Sequence, residues 1–561
     1  MFKIRVLAPV LALVAFPGAA QAGEFKVSIT VDAAQERGAL APAWRFFGYD
    51  EPNYTYMKDG KVLLSKLGAL SPRTVFVRTH NLLTSGDGAP ALKWGSTNAY
   101  TEDAQGRPHY DWKIVDRIFG AYLERGLKPY VQIGFMPRAL SVKPEPYQHH
   151  WSPRGGELFT GWSYPPKDFG KWEELVYQWA SHCKSRYGQA EAESWYWEVW
   201  NEPNILYWRG TPDDYDRLYD HAANAVKRAL PAARVGGPEV ASTRTPEAAK
   251  FLRGFLEHCL RGTNHATGRV GAPLDFISFH AKGSPRFVQG HVETGIATQL
   301  QDIDRGFEVV TSFPELKNKP IVIGESDPDG CAACPATVFP QNGYRDGALY
   351  ASYTAAAYCR TLDLARQHKV NLEGSLTWAF EFEDQPYFAG FRVLSTNGID
   401  LPVLNVFRML GLMSGRRVAL TSTADRGADA LRLHGVRQAP DVSALASLDA
   451  RSLSILVWHY HDVDLPGDPA AVELNVRDLP VHDSAVLIEH FRIDTDHSNA
   501  FSRWKKMGAP GRPTAQQIVA LQSAGTLQAM ESPRWRRSRG DSLRLAFSLP
   551  RQAVSLLVLR W

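Results

Sequence analysis

Two apolar, strand-like runs in this chain each end in a glutamate, and those glutamates lie about 120 residues apart. The first run is Ser194-Trp195-Tyr196-Trp197-Glu198-Val199-Trp200, passing into Asn201-Glu202-Pro203-Asn204. The second is Lys319-Pro320-Ile321-Val322-Ile323-Gly324-Glu325-Ser326-Asp327-Pro328. In a (β/α)8 barrel the chemistry sits at the carboxyl ends of the strands, and each βα unit takes roughly 30–40 residues. A gap of three units puts Glu202 at the end of the fourth strand and Glu325 at the end of the seventh, facing one cleft. Two carboxylates across a cleft are what hydrolysis of a glycosidic bond requires.

The rest of the chain fits that frame. Eight strand-like segments can be read between residues 44 and 401: Trp44–Tyr49, Thr74–Asn81, Pro129–Phe135, Trp195–Trp200, Arg234–Val240, Phe276–His280, Ile321–Glu325 and Gly374–Glu381. Helical periodicity separates several of them, over Tyr110–Arg125, Lys171–Tyr187 and Pro212–Leu230. Alternating strands and helices argue for a parallel α/β architecture, and eight of them favour the closed TIM barrel. From Pro402 to residue 561 the pattern changes to short alternating runs: Val418–Thr423, Leu431–Val436, Ser452–Tyr460, Val472–Val476, Ala485–Ile493, Leu543–Leu549 and Ala553–Trp561. These predict a C-terminal β-sandwich. An early strand within residues 23–43, Phe25–Val31, is expected to join it.

Composition narrows the function classes. With 561 residues, 44% hydrophobic and 22% charged, the chain can bury full cores in more than one domain. A formal charge of +4 is small for this length and argues against a nucleic-acid partner. Residues 1–22 read as a secretory signal: Lys3 and Arg5, an apolar run from Val6 to Phe16, then Ala20-Gln21-Ala22 before the cleavage site. The mature protein is therefore expected in the periplasm or secreted, without a membrane anchor. Cys331-Ala332-Ala333-Cys334 is expected to form a local disulfide in such a compartment, while Cys183, Cys259 and Cys359 read as buried thiols.

Several side chains should converge at the cleft. Asn201 is placed to bond a sugar 2-hydroxyl, and Trp197, Trp200 and Trp208 would desolvate Glu202 as a proton donor requires. A helix-capping turn is the plainer reading of Asn-Glu-Pro. Glu325 needs the opposite, a polar and charged setting, and Gly324 gives it room. His80 ends the second strand in Val77-Arg78-Thr79-His80, His280 and Lys282 end the sixth, and Trp378 lies on the eighth. The long third loop holds Tyr147, His149, His150, Trp151, Trp162 and Tyr164, either as a pocket wall or as an ordered surface loop.

At these residues the chain resembles glycoside hydrolase family 39, a group of retaining enzymes in clan A that includes β-xylosidases and α-L-iduronidases. Asn-Glu-Pro marks the clan. Arg-Thr-His on the second strand, His280 on the sixth and the late segment Ile493-Asp494-Thr495-Asp496-His497-Ser498-Asn499 narrow it to the family. The resemblance implies Glu202 as acid/base, Glu325 as nucleophile, an oligosaccharide substrate and no metal or organic cofactor. His-x-Lys at Lys282 resembles the iduronidases, because a lysine can pair with a uronate carboxylate. Gly48-Tyr49-Asp50-Glu51-Pro52-Asn53-Tyr54 resembles the xylosidases, and Glu383 or Asp384 matches an acidic residue that binds xylose hydroxyls. The balance favours a β-xylosidase over an iduronidase-like or exopolysaccharide-acting enzyme, with a non-catalytic carbohydrate-binding protein as the reading from another class.

Overall fold

A computed structural model describes residues 23–70, 73–149, 158–159 and 161–561. The expected signal segment, and His150 and Trp151 of the third loop, lie outside the described residues.

The barrel strands are Phe46–Tyr49, Phe76–Thr79, Lys128–Ile133, Tyr196–Val199, Arg234–Val240, Phe276–Lys282 and Pro320–Asp327, followed by an eighth broken into Asn371–Ser375 and Thr377–Trp378. All neighbours run parallel in chain order. The break in the eighth strand is what closes the cylinder. Its first half pairs with the seventh strand, and its second half pairs with the first through Thr377–Phe47 and Trp378–Gly48. Helices Lys113–Leu123, Phe169–Tyr187 and Pro212–Ala229 cover the outside where helical periodicity places them.

The interior is layered, as inward residues of parallel barrel strands must be. At the amino-terminal end Phe46 stacks on Phe76 and Tyr130 on Tyr196, with Phe276 edge-on to Tyr196. These rings make a solid floor. One pleat higher along the same strands the fill becomes charged: Arg78 and Glu198, both fully buried. The next positions up open at the carboxyl end.

The second unit is a ten-stranded, mainly antiparallel sheet folded over an apolar core that includes Val27, Ile29, Val31, Val442, Ile455, Val472 and Leu557. Phe25–Ala39 lies inside this sheet, antiparallel to Arg416–Ser422 and parallel to Ala470–Arg477. The strand expected at Leu431–Val436 is instead helix Gly427–His434. Its buried residues, Ala428 and Leu431, are three apart, and Gly435 at φ 67° stops it, so a helical period competes with strand-like composition there. The neighbouring strand is Asp441–Asp449, paired residue for residue with Ser452–Tyr460; its Ala and Ser content hides the β signal.

The helix Ala348–His368 is buried on almost every side because the barrel covers one face and the second unit the other. Arg360 of this helix reaches Asp425 and Asp441 of the second unit, each at 2.7 Å. Helix Pro402–Gly411 packs Phe407 against Phe47 of the first barrel strand, 4.9 Å between centroids.

Candidate active site

Glu202 and Glu325 meet over one imidazole. His280, wholly buried at the end of the sixth strand, lies with Nδ1 2.9 Å from Glu202 Oε1 and 3.8 Å from Glu325 Oε1. Its other nitrogen, Nε2, is 2.6 Å from Glu239 Oε2 at the end of the fifth strand. That last contact is a charge pair without hydrogen-bond alignment, since both groups lack an aligned partner there. Burial alone would push the His280 imidazole down. The charges of Glu325 and Glu239, with the hydrogen bond to Glu202, outweigh it and raise His280 to about 10. His280 is thus a cation shared by three carboxylates.

Glu325 sits in the most cationic part of this layer. Lys282 Nζ lies 2.8 Å from Oε2, while Arg78 Nη1 at 3.3 Å and His80 Nε2 at 3.7 Å face Oε1. Burial acts to raise its carboxyl, but His280, Lys282, His80 and Arg78 together hold it well below the usual carboxylate range. Glu325 is ionised at any physiological pH, as a nucleophile must be. Glu202 has one cationic contact, its side chain is more open, and its main chain is fixed by a hydrogen bond from its N–H to Glu239 O at 3.1 Å. The φ of 44° at Glu202 and 72° at Trp200 turn the chain sharply off the fourth strand, which aims the carboxylate back over the mouth.

Arg78 organises the floor of the site. Its guanidinium meets Glu198 at 2.5 Å, Asn201 Oδ1 at 3.0 Å and His80 Nε2 at 3.1 Å, with Trp378 stacked 5.0 Å away. Asn201 therefore accepts from Arg78 through Oδ1, which leaves its amide N–H2 as the group free to be aimed by that bond. His80 donates from Nδ1 to Asp50 at 2.8 Å, and Asp50 in turn holds Lys93. Burial, with Arg78 alongside, keeps the His80 imidazole below its ordinary value despite Asp50. The two imidazoles of the site are thus shifted in opposite directions, His80 down and His280 up. Trp378 lies 4.4 Å from the His80 ring and is held at its carbonyl by Arg392, whose guanidinium also grips Asp329. Cys331 and Cys334 are bridged in the loop that carries Asp329.

The expected residues Glu202, Glu325, His80, Asn201, His280, Lys282 and Trp378 are thus brought together. Glu383 is engaged elsewhere: it accepts a hydrogen bond from Asp59 N at the start of helix Lys58–Gly68. From the third loop, Tyr147 stacks on Tyr207, 4.7 Å away, and Tyr207 stacks on Phe135 at 5.5 Å. Glu239 and Lys93 were not singled out from sequence, and Arg78 and Asp50 entered only as parts of motifs. A glutamate near the end of the barrel strand Arg234–Val240 was the available signal for the first.

Among the described residues one group of His and Asp side chains has metal-like proximity, Asp220, His258 and His265, within 4.8 Å. Asp220 and His258 lie on two outer helices, and His258 Nε2 is 3.0 Å from both Asp220 oxygens, which makes this contact a helix-to-helix staple.

A pair of glutamates in contrasting settings, at the ends of the fourth and seventh strands of a (β/α)8 barrel, defines a glycosidase. The comparisons agree. Residues 27–542 match the glycosyl hydrolases family 39, and the chain belongs to that family. It is 26% identical over 520 residues to a β-xylosidase of Geobacillus stearothermophilus, covering 90% of this chain and 88% of that one. It is 26% identical over 559 residues to the α-L-iduronidase of Homo sapiens, covering 93% and 77%. A monomeric β-xylosidase from Caulobacter crescentus CB15 shares the fold with a TM-score of 0.72 at 20% identity, covering 95% of this chain and 99% of that one.

Proposed function

We propose that this enzyme is a retaining β-xylosidase that releases xylose from the non-reducing ends of xylo-oligosaccharides. Glu325 attacks the anomeric carbon while Glu202 protonates the departing oxygen. Glu202 then takes a proton from water as the water oxygen attacks the anomeric carbon and breaks its bond to Glu325, which leaves as carboxylate and frees the sugar with its configuration kept. The observation that carries this reading is the shared contact with His280. Two carboxylate oxygens within 4 Å of one nitrogen suit the about 5–5.5 Å separation of retaining pairs better than the about 6.5–9.5 Å of inverting ones.

A neutral sugar is favoured by the state of Lys282. Its ammonium is already flanked by Glu325 and Asp327, so the charge that could bind a uronate is spent on two carboxylates of the protein. The second reading, an α-L-iduronidase-like enzyme, is supported by the same lysine, because it lies directly beside the nucleophile and part of its side chain stays open. The Cys331–Cys334 bridge supports action outside the cytoplasm.

The deciding experiment is hydrolysis of paired aryl β-xyloside and aryl α-L-iduronide by wild type and Glu325→Gly. Xyloside release that disappears in the variant is the expected result. Iduronide release in its place would move Lys282 to the centre of specificity, and turnover retained by Glu325→Gly would remove Glu325 as nucleophile.

A further inference from the structure

Glu239 has no assigned role, yet it touches the main chain of one proposed catalytic residue and displaces the side chain that would precede the other. It is fully buried and sits in the left-handed region, φ 58°, at the end of the fifth strand. Its carbonyl oxygen accepts from Glu202 N. Its carboxylate lies against His280 Nε2 at 2.6 Å and faces Arg78 Nε at 3.9 Å. A Cβ added at Gly324 would lie 2.1 Å from both Glu239 carboxylate oxygens, so the residue before Glu325 is glycine because this carboxylate fills the space.

Burial behind Gly324 keeps Glu239 from the sugar, so it acts through its neighbours. We propose that Glu239 is a positioning residue of the hydrolysis: its carbonyl fixes the main chain of Glu202, and its carboxylate pins His280 so that Nδ1–H points at the Glu202 carboxylate. The role rests on the assignment of Glu202 as acid/base.

The groups that face this pair set the charge balance. They are Arg78 and His80 from the second strand, Tyr130 from the third, Glu198 and Glu202 from the fourth, Lys282 from the sixth and Glu325 from the seventh. Burial raises both Glu198 and Glu239, but Arg78 and His280 draw Glu239 down to about 2, while burial, with the Glu239 charge alongside, holds Glu198 well above the ordinary carboxylate range despite Arg78. Glu239 is therefore the anion that balances His280 from behind. Without it, the burial of His280 is offset only from the substrate side, and the imidazole gives up a proton at lower pH.

The test is Glu239→Gln, read by the 15N shifts of the His280 ring in the resting protein and by kcat/KM against pH on an aryl glycoside. Both His280 nitrogens should carry protons through pH 8 in wild type and not in the variant. The alkaline limb of kcat/KM should move down by a pH unit or more, with a fall of about 100-fold at its optimum. Glu239→Asp should restore part of both. Identical ring titrations in wild type and Glu239→Gln would overturn the proposal. Should Glu239→Gln fail to fold, the Gly324→Ala and Glu239→Ala pair decides. Gly324→Ala should be harmful in wild type and tolerated in the Glu239→Ala background, and equal harm in both would overturn the proposal. If wild type cleaves no glycoside, the acid/base reading fails by itself, and the ring titration still decides whether Glu239 sets the charge of His280.

Discussion

Lys282 Nζ stands between two carboxylates, 2.8 Å from Glu325 Oε2 and 2.5 Å from Asp327 Oδ2. Asp327 is itself held by Trp378 N at 2.9 Å, so the lysine links Glu325 to the backbone of the eighth strand. Its removal should be felt in acid. A carboxyl held low by a cation stays ionised above its folded value and is protonated as pH falls through it. Lys282→Met should raise that value by about 1–3 units, which moves the acidic limb of kcat/KM upward. An unmoved limb in a pH–rate series would show that His280, His80 and Arg78 suffice.

Glu202→Ala should discriminate between leaving groups. Protonation matters when the departing oxygen is a poor leaving group, so the loss on xylobiose should be about 10²–10⁴-fold. An activated aryl xyloside leaves without that proton, and its first step should be far less affected. Equal losses on both substrates would take Glu202 out of the acid role.

Gly48→Ala tests the support of Trp378. A Cβ there would lie 2.4 Å from Trp378 Cζ3 and 2.9 Å from Arg78 O, neither of which can withdraw freely. The expected cost is about 1–3 kcal/mol in stability, with reduced kcat/KM because the ring beside His80 must shift. Thermal unfolding and Trp fluorescence, measured on the same sample, report both.

Arg360→Leu should loosen the junction between barrel and second unit. The guanidinium is buried with Asp441, which also accepts from Trp458 Nε1 at 2.8 Å. Removing one partner strands a buried carboxylate, at a cost of about 3–5 kcal/mol. Urea unfolding followed by Trp fluorescence should show the drop, and a midpoint equal to wild type would mean the pair is dispensable.

The barrel could be read from sequence because its strands are buried on both faces and so appear as continuous apolar runs with chemistry at their ends. Glu202 and Glu325 were legible for the same reason: a charged residue ending such a run has few structural uses. Glu239 was not, although the strand Arg234–Val240 was read: nothing along Gly236-Gly237-Pro238 marks its carboxylate, whose meaning depends on Gly324, two strands away in the cylinder. Glu383 was named through the family resemblance rather than from its own surroundings, and its carboxylate accepts from Asp59 N at the start of helix Lys58–Gly68, a contact that no local pattern announces. In the second unit, helix Gly427–His434 and strand Asp441–Asp449 escaped because small and mixed residues carry little periodic contrast.

The strand Phe25–Ala39 takes its hydrogen-bonding neighbours from Arg416–Ser422 on one edge and Ala470–Arg477 on the other. The barrel lies in the chain between this strand and both of its partners, so the second unit works as a clasp whose two halves are made at opposite ends of synthesis. The first strand has no edge to join until the barrel has been laid down, and ordering it closes a loop that contains the whole barrel. Neither unit can be cut out by dividing the chain once: a barrel expressed without the late strands would carry Phe25–Ala39 as a bare apolar edge, open to pairing with its own copies.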